Sequence, residues 1–258
     1  MEIDEFGMDL FSLSGRSAIV TGGNTGLGRG FSVALAAAGA DILVVGLDED
    51  DGTTGRLVAR HGGRMTFVKA DLTQRDVPGE VVRWCLEELG SVDILVNCAG
   101  ISVLADVAQF GRDQWDPMVA VNLTAAFELA HEASRVMIAQ GSGKIINVAS
   151  LFSFVGGRGS PAYAATKAGI VGFTRAYCDE LAGHNIQVNA IAPGYFATAI
   201  TEETRADPEA DRRILEHIPA ARWGNVSDLM GAVVFLASRA ADYVNGQVLT
   251  VDGGYLVR

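Results

Sequence analysis

The sequence predicts a doubly wound α/β fold, and three observations carry that reading. Short β-branched runs alternate with longer helical patterns from Arg16 almost to the C-terminus. The runs are nearly continuous in apolar residues, the pattern of strands buried on both faces of a parallel sheet. The first run leads straight into a cluster of glycines and then a helical pattern, the arrangement of a dinucleotide-binding strand–turn–helix unit. Together they describe a Rossmann-type sheet of about seven parallel strands with helices on both faces.

Strands are expected at 17–22 (SAIVTG), 41–46 (DILVVG), 64–70 (RMTFVKA), 92–100 (VDILVNCAG), 143–150 (GKIINVAS), 186–193 (IQVNAIAP) and 247–254 (QVLTVDGG). Helices follow from apolar residues spaced i, i+3, i+4 over 27–38, 77–89, 115–139, 163–182 and 226–237. No internal repeat, low-complexity tract or Pro/Ser-rich linker divides the chain, so residues 1–258 read as one dinucleotide-binding and catalytic domain. The longest stretch without a strand lies between Pro193 and Gln247. Its polar front half, 194–224, is rich in turn signals and is expected to form a substrate lid beyond a strand C-terminus.

Composition narrows the function classes. Apolar residues are 49% and charged residues 20% of the chain, enough for a core and without a disorder signature. Lys and Arg number 20 against 31 Asp and Glu, and the net charge of −11 opposes attraction to phosphate backbones or anionic lipid. Neither nucleic acid nor a membrane is an expected partner, and no apolar run reaches the length of about 18 that spans a bilayer. The 3 cysteines show no CxxC spacing and the N-terminal stretch is acidic rather than basic, so a reducing, cytoplasmic location is expected. The 4 histidines are scattered, without HExxH spacing, so no metal is expected. No GxSxG elbow supports hydrolysis, and GSGK at 141–144 lacks the spacing of a phosphate loop. Glycine is in excess, 31 residues, and calls for a positional explanation.

The glycine cluster supplies part of it. Thr21-Gly22-Gly23-Asn24-Thr25-Gly26-Leu27-Gly28 has the spacing TGxxxGxG between the first strand and the first helix. Without side chains in the way, backbone N–H groups and the helix N-terminus can approach a pyrophosphate. Gly22, Asn24, Thr25, Gly26, Leu27 and Gly28 are therefore the expected cofactor contacts. After the second strand, Gly46-Leu47-Asp48-Glu49-Asp50-Asp51 offers acids and no base, and neither Asn24 nor Thr25 is cationic. A 2′-phosphate would lack a counter-charge, so NAD is expected rather than NADP. The usual acidic position is Gly46, which leaves Asp48 as the partner of the adenosine ribose or simply as a solvated acid at a helix start.

Further along lie NCAG at 97–100, Asn122, Ser150, Tyr163, Lys167 and PGYFAT at 193–198. In this order the chain resembles the short-chain dehydrogenase/reductase family, with its NNAG, S…YxxxK and PGxxxT motifs. Cys98 departs from the second Asn of NNAG, and a small apolar packing role is favoured over a redox one. Singly, a Ser can end a strand, an Asn can satisfy backbone and a YxxxK pair can be a solvated helix face. The resemblance implies a catalytic set of Asn122, Ser150, Tyr163 and Lys167 and a homotetramer. In that set Tyr163 exchanges a proton with the substrate oxygen, Ser150 hydrogen-bonds that oxygen, and Asn122 supports a water-linked proton route to Lys167. Lys167 is to hold the nicotinamide ribose and, one helical turn from Tyr163, to lower the phenol pKa. The same resemblance adds Asp71 and Leu72 at the adenine, and Asn97, Ala99, Gly100, Pro193, Gly194 and Thr198 to the cofactor contacts.

The segments IPAARWG (218–224), SDLMG (227–231), DYVNGQ (242–247) and VDGGYLVR (251–258) resemble a narrower branch, that of 2-dehydro-3-deoxy-D-gluconate 5-dehydrogenase. That likeness implies NAD-linked interconversion of a secondary alcohol and a ketone on a six-carbon deoxy sugar acid. A substrate carboxylate requires a cation, and Arg158, Arg205 and Arg222 are the suppliers considered. Arg222 has a second reading, tying the lid to the body, while Arg158 and Arg205 can be surface charges. Phe152 and Tyr195 either line the pocket or pack. The competing expectations are a dehydrogenase of another sugar or polyol, a 3-oxoacyl thioester reductase, and a non-catalytic NAD-binding subunit.

Overall fold

The structure is a computed structural model that describes residues 7–258. Its strands are β1 (Ser17–Thr21), β2 (Asp41–Gly46), β3 (Met65–Lys69), β4 (Ile94–Asn97), β5 (Gly143–Val148), β6 (Ile186–Pro193) and β7 (Val248–Val251). All 7 expected strands are present and pair in one parallel sheet, in the order β3-β2-β1-β4-β5-β6-β7. The helices are α1 (Gly26–Ala37), α2 (Thr53–Ala59), α3 (Val77–Leu89), α4 (Arg112–Val119), α5 (Ala125–Gln140), α6 (Pro161–Leu181), α7 (Glu202–Ala206), α8 (Pro208–His217) and α9 (Ser227–Ala237).

Side chains alternate across a strand, and here both faces are apolar. Ala18, Val20, Ile42, Val44, Ile94 and Val96 join one buried cluster with Phe31 and Leu35 of α1 and Leu229 and Val233 of α9. Their sequence neighbours Ile19, Leu43, Val45 and Leu95 join the other, with Val81 and Cys85 of α3 and Leu129 and Met137 of α5. Connections run one way from β1 to β2 and β3 and the other way from β4 onward, so the helices diverge above the β1–β4 pair. That divergence opens a crevice at the C-terminal ends of these strands.

The differences from expectation are local. The fourth strand stops at Asn97 rather than Gly100 because Thr21 Oγ1 accepts from the N–H groups of Cys98 (2.9 Å) and Ala99 (3.0 Å), turning the chain out of the sheet. The helix expected at 115–139 begins earlier and is interrupted by a π-helical turn, Ala120–Thr124. The short helices α2, α7 and α8 were not anticipated. For α8 a signal existed: Asp207 accepts from the N–H groups of Glu209 and Ala210, with Pro208 at the first helical position. Among the described residues no helix is long and apolar enough to cross a membrane.

Candidate active site

The crevice is walled by Gly22, Gly26 and Gly28 after β1, by Ala99, Gly100 and Ile101 after β4, and by Ser150, Tyr163 and Lys167 from β5 and α6. Gly194, Thr198 and Thr201 close it from the β6 side. The glycine loop is shaped for close approach. Gly22 has φ +64°, and a Cβ there would stand 3.2 Å from Ala99 Cα; a Cβ on Gly28 would collide with the Gly22 carbonyl. The position of a Cβ on Gly26 is open space, facing the crevice above the N-terminus of α1, whose first turn carries no acid. Free N–H groups and an uncompensated positive helix end fit the pyrophosphate of a dinucleotide.

Of the expected catalytic set, Ser150, Tyr163 and Lys167 line this crevice and Asn122 is buried behind it. Ser150 follows the end of β5 and accepts from the Phe152 N–H (3.2 Å). Burial pushes the Tyr163 phenol up, and the neighbouring Ser150 hydroxyl pulls it part of the way down. Lys167 is 4% exposed, and its Nζ donates to the Val148 carbonyl (2.7 Å) while lying 5.6 Å from the Tyr163 ring centroid. Burial pulls the Lys167 amine down to about 8. This corrects the expectation of a phenol lowered by its neighbouring ammonium. Both charged forms lose hydration on burial, and that loss is the largest cause of each shift. Asn122 sits in the π-helical turn, where its Oδ1 accepts from Ile101 N and its Nδ2 donates to Ile101 O, both at 2.8 Å. Gly100 brings the group together: a Cβ there would stand 3.3 Å from Asn122 Oδ1 and 3.8 Å from Lys167 Nζ.

Cys98 packs at the edge of the first apolar cluster, and burial pushes its thiol up to about 12, so it is a packing residue and a poor nucleophile. Asn97 is buried and donates to the Ala126 carbonyl and to Asn147 Oδ1, so it braces β4 on β5 below the crevice rather than lining it. Pro193 and Leu27 line the crevice, as expected. Gly194 is needed because a Cβ would stand 2.6 Å from Asp252 Cα.

At the adenosine end the picture is mixed. Asn24 is buried and its Nδ2 donates to the Asp48 carbonyl, while the Asp48 side chain is exposed on the turn after β2. Asp71 accepts from Thr73 and from Gln74 through both carboxylate oxygens, which hold its own turn, and Leu72 packs on the second apolar cluster. Sequence reading missed two bases that tertiary contacts bring to the turn. Arg29 reaches Asp51 from α1, and Lys69 reaches Glu49 from β3.

Most of the expected substrate residues stand elsewhere. Phe152 does meet the site, edge-on to Tyr163 with ring centroids 5.8 Å apart. Arg158 is exposed and does not line the crevice. Arg205 donates to the Thr198 carbonyl (3.1 Å), one layer behind the crevice wall. Arg222 makes a two-pronged pair with Asp228 of α9, at 2.7 and 3.1 Å, which favours its tethering reading. Tyr195 packs against Trp223 and Tyr255 and faces a separate small cavity, a correction with a plain cause: the aromatic neighbours turn it away. Lys167 is the single cation among the described residues lining the crevice.

Thr21 and Thr201 also escaped the sequence reading. Thr21 joins β1 to the turn after β4, and Thr201 Oγ1 donates to the Phe196 carbonyl (2.6 Å) at the base of the lid segment.

With this geometry in view, likeness to known proteins becomes informative. A family model described as enoyl-(acyl carrier protein) reductase matches residues 22–256. The uncharacterized oxidoreductase YgcW of Escherichia coli (strain K12) is 57% identical over 256 residues, covering 99% of this chain and 98% of that protein. The 2-dehydro-3-deoxy-D-gluconate 5-dehydrogenase of the same organism is 46% identical over 252 residues, covering 97% and 99%. Among solved structures, a gluconate 5-dehydrogenase from Burkholderia cenocepacia J2315, in complex with NADP and tartrate, has a TM-score of 0.92 at 37% identity, covering 97% of this chain and 98% of that one. The chain belongs to the short-chain dehydrogenase/reductase family, and it is an oxidoreductase acting on CH–OH groups.

Proposed function

We propose that the protein is an NAD-linked dehydrogenase that interconverts a secondary alcohol and a ketone on a deoxy sugar acid, 2-dehydro-3-deoxy-D-gluconate or 2-deoxy-D-gluconate. The observation that carries the chemistry is the meeting of Ser150, Tyr163 and Lys167 beside the glycine cradle. The substrate class is supported by the full-length relative at 46% identity that bears the first of these names. Gly22 to Gly28 would hold a nicotinamide dinucleotide and Lys167 would bind its ribose; when bound, the group would supply the hydride acceptor or donor. The chain's own residues manage the proton. Ser150 orients the substrate oxygen against the Tyr163 oxygen, which as phenolate accepts the proton of the alcohol and as phenol donates one to the carbonyl. Asn122, bonded to Ile101 on both sides, holds the crevice floor next to Lys167.

The NAD reading is supported by charge. Of the three bases near the turn after β2, Arg29 and Lys69 are already paired with acids and Arg56 is engaged by Thr53 Oγ1, so none is committed to a 2′-phosphate. The relative from Burkholderia does hold NADP, so wild-type affinities for both reduced cofactors are the deciding measurement. We read residues 1–258 as one cytoplasmic domain. In it the segment 194–224 acts as a lid, pinned near its ends where the Ala197 N–H donates to the Gly224 carbonyl (2.9 Å) and the Gly224 N–H to the Tyr195 carbonyl (2.9 Å).

The test is NADH oxidation with a panel of 5-keto sugar acids, keto-polyols and a 3-oxoacyl thioester. Turnover of a 5-keto-3-deoxy sugar acid at the highest kcat/KM is expected. Preference for an uncharged polyol or the thioester would overturn the substrate, and no turnover with any would favour a non-catalytic subunit.

A further inference from the structure

The turn after β2 contains an internal counter-ion that bears on cofactor choice. We infer that Asp51 discriminates against NADP by holding Arg29, and that Arg29 is a latent ligand for a 2′-phosphate. The inference deepens the NAD-linked reading above and rests on it. Where an acidic side chain at the end of β2 would reach the ribose diol, this chain has Gly46, and the space of its missing Cβ is filled by the Asn24 carboxamide, 2.8 Å away. Behind Asn24, its carbonyl accepts from Thr54 Oγ1 (3.4 Å), which in turn accepts from Arg29 Nε (3.0 Å). One hydroxyl group therefore separates the guanidinium from the residue that fills the ribose-reading position.

Arg29 is loosely committed. Its Nη2 meets Asp51 Oδ1 at 3.3 Å, long for a charge-assisted bond, and Nη1 has no protein acceptor among the described residues. The carboxylate of Asp51 is fixed independently, since Oδ1 also accepts from the Thr53 N–H at 2.8 Å. The other bases at this turn are Lys69, engaged by Glu49 at 3.0 Å, and Arg56, which donates to Thr53 Oγ1 at 2.9 Å. A dianionic 2′-phosphate would have to draw Arg29 off Asp51 and stand beside that carboxylate, whereas a 2′-hydroxyl does neither.

Isothermal titration of NADH and NADPH into wild type, Asp51→Asn, Asp48→Asn, Arg29→Met and the Asp51→Asn/Arg29→Met double variant tests this. The ratio Kd(NADPH)/Kd(NADH) should fall about tenfold in Asp51→Asn, the size of one charge-assisted contact, and return in the double variant. Asp48→Asn removes the same charge without touching Arg29. The inference is overturned if Asp51→Asn leaves the ratio within about twofold of wild type, if the double variant keeps the gain, or if Asp48→Asn gains as much. Asp51→Ser, which keeps a capping oxygen for Thr53, serves should the Asn variant fold poorly. The wild-type ratio alone judges the NAD reading, so the two can fail separately.

Discussion

At the scale of single residues, the site is governed by desolvation. Tyr163 and Lys167 share one face of α6, but burial shifts each away from its ordinary value in the direction of its neutral form. A phenol raised above its ordinary value near 10 is an acid at neutral pH. It is ready to protonate a carbonyl in reduction and must lose its proton before it can act as base in oxidation. The sign follows: kcat/KM for alcohol oxidation rises with pH through the alkaline range, with Lys167 titrating near 8 before the phenol, and kcat/KM for ketone reduction falls over the same range. An oxidation profile flat from neutral to strongly alkaline pH would remove Tyr163 from the base role. Tyr163→Phe should lower kcat at least about 100-fold while cofactor Kd holds. A kcat within a few-fold of wild type would defeat the assignment. These side chains were legible in the sequence through the family resemblance, which the one-turn spacing of Tyr163 and Lys167 fits. Their protonation was not, since it depends on what the fold packs around them.

At the scale of elements, five strands were legible to within two residues at either end, while the fourth and seventh were expected to run three residues further than they do. Alternate residues of β1, β2 and β4 feed different clusters, so each run had to be apolar throughout. Leu95, fully buried on the α3–α5 face of β4, is a fair measure of that packing. Leu95→Ala should cost about 2–5 kcal/mol in chemical denaturation, and a loss under about 1 would mean the face collapses around the cavity. The lid was less legible, because its anchors are long-range. Trp223 Nε1 donates to Asp211 (2.6 Å) and Arg222 clasps Asp228. Arg222→Ala should therefore speed proteolytic cleavage within 194–224 and leave the midpoint of global unfolding nearly unchanged. A raised KM for sugar acid with unaltered proteolysis would instead make Arg222 a carboxylate ligand.

At the scale of the whole molecule, the open question is assembly. On α5 and α6, Phe127 is 44% exposed and meets the rings of Phe173 and Tyr177 at 6.5 and 6.1 Å. An aromatic patch left in water on the two longest helices suits an interface between copies, and we propose the homotetramer that the family resemblance implies. Light scattering after size exclusion should give four times the chain mass, and Phe127→Glu should shift the population to smaller species. A monomeric wild type would refute it.

Beside the Ser150, Tyr163 and Lys167 set that the family resemblance implied, the amino-acid sequence by itself determined the order of the strands, the alternation with helices and the glycine cradle. These depend on periodicity, on spacings of a few residues and on the absence of side chains at fixed positions, all local properties of the chain. Only the tertiary structure decided that Arg222 faces Asp228, that Tyr195 turns to Trp223 and Tyr255, and that Arg29 and Lys69 reach the acids after β2. Each of those pairings joins side chains that different elements carry toward or away from the crevice, and charge counted along the sequence says nothing of where a long side chain finds its partner.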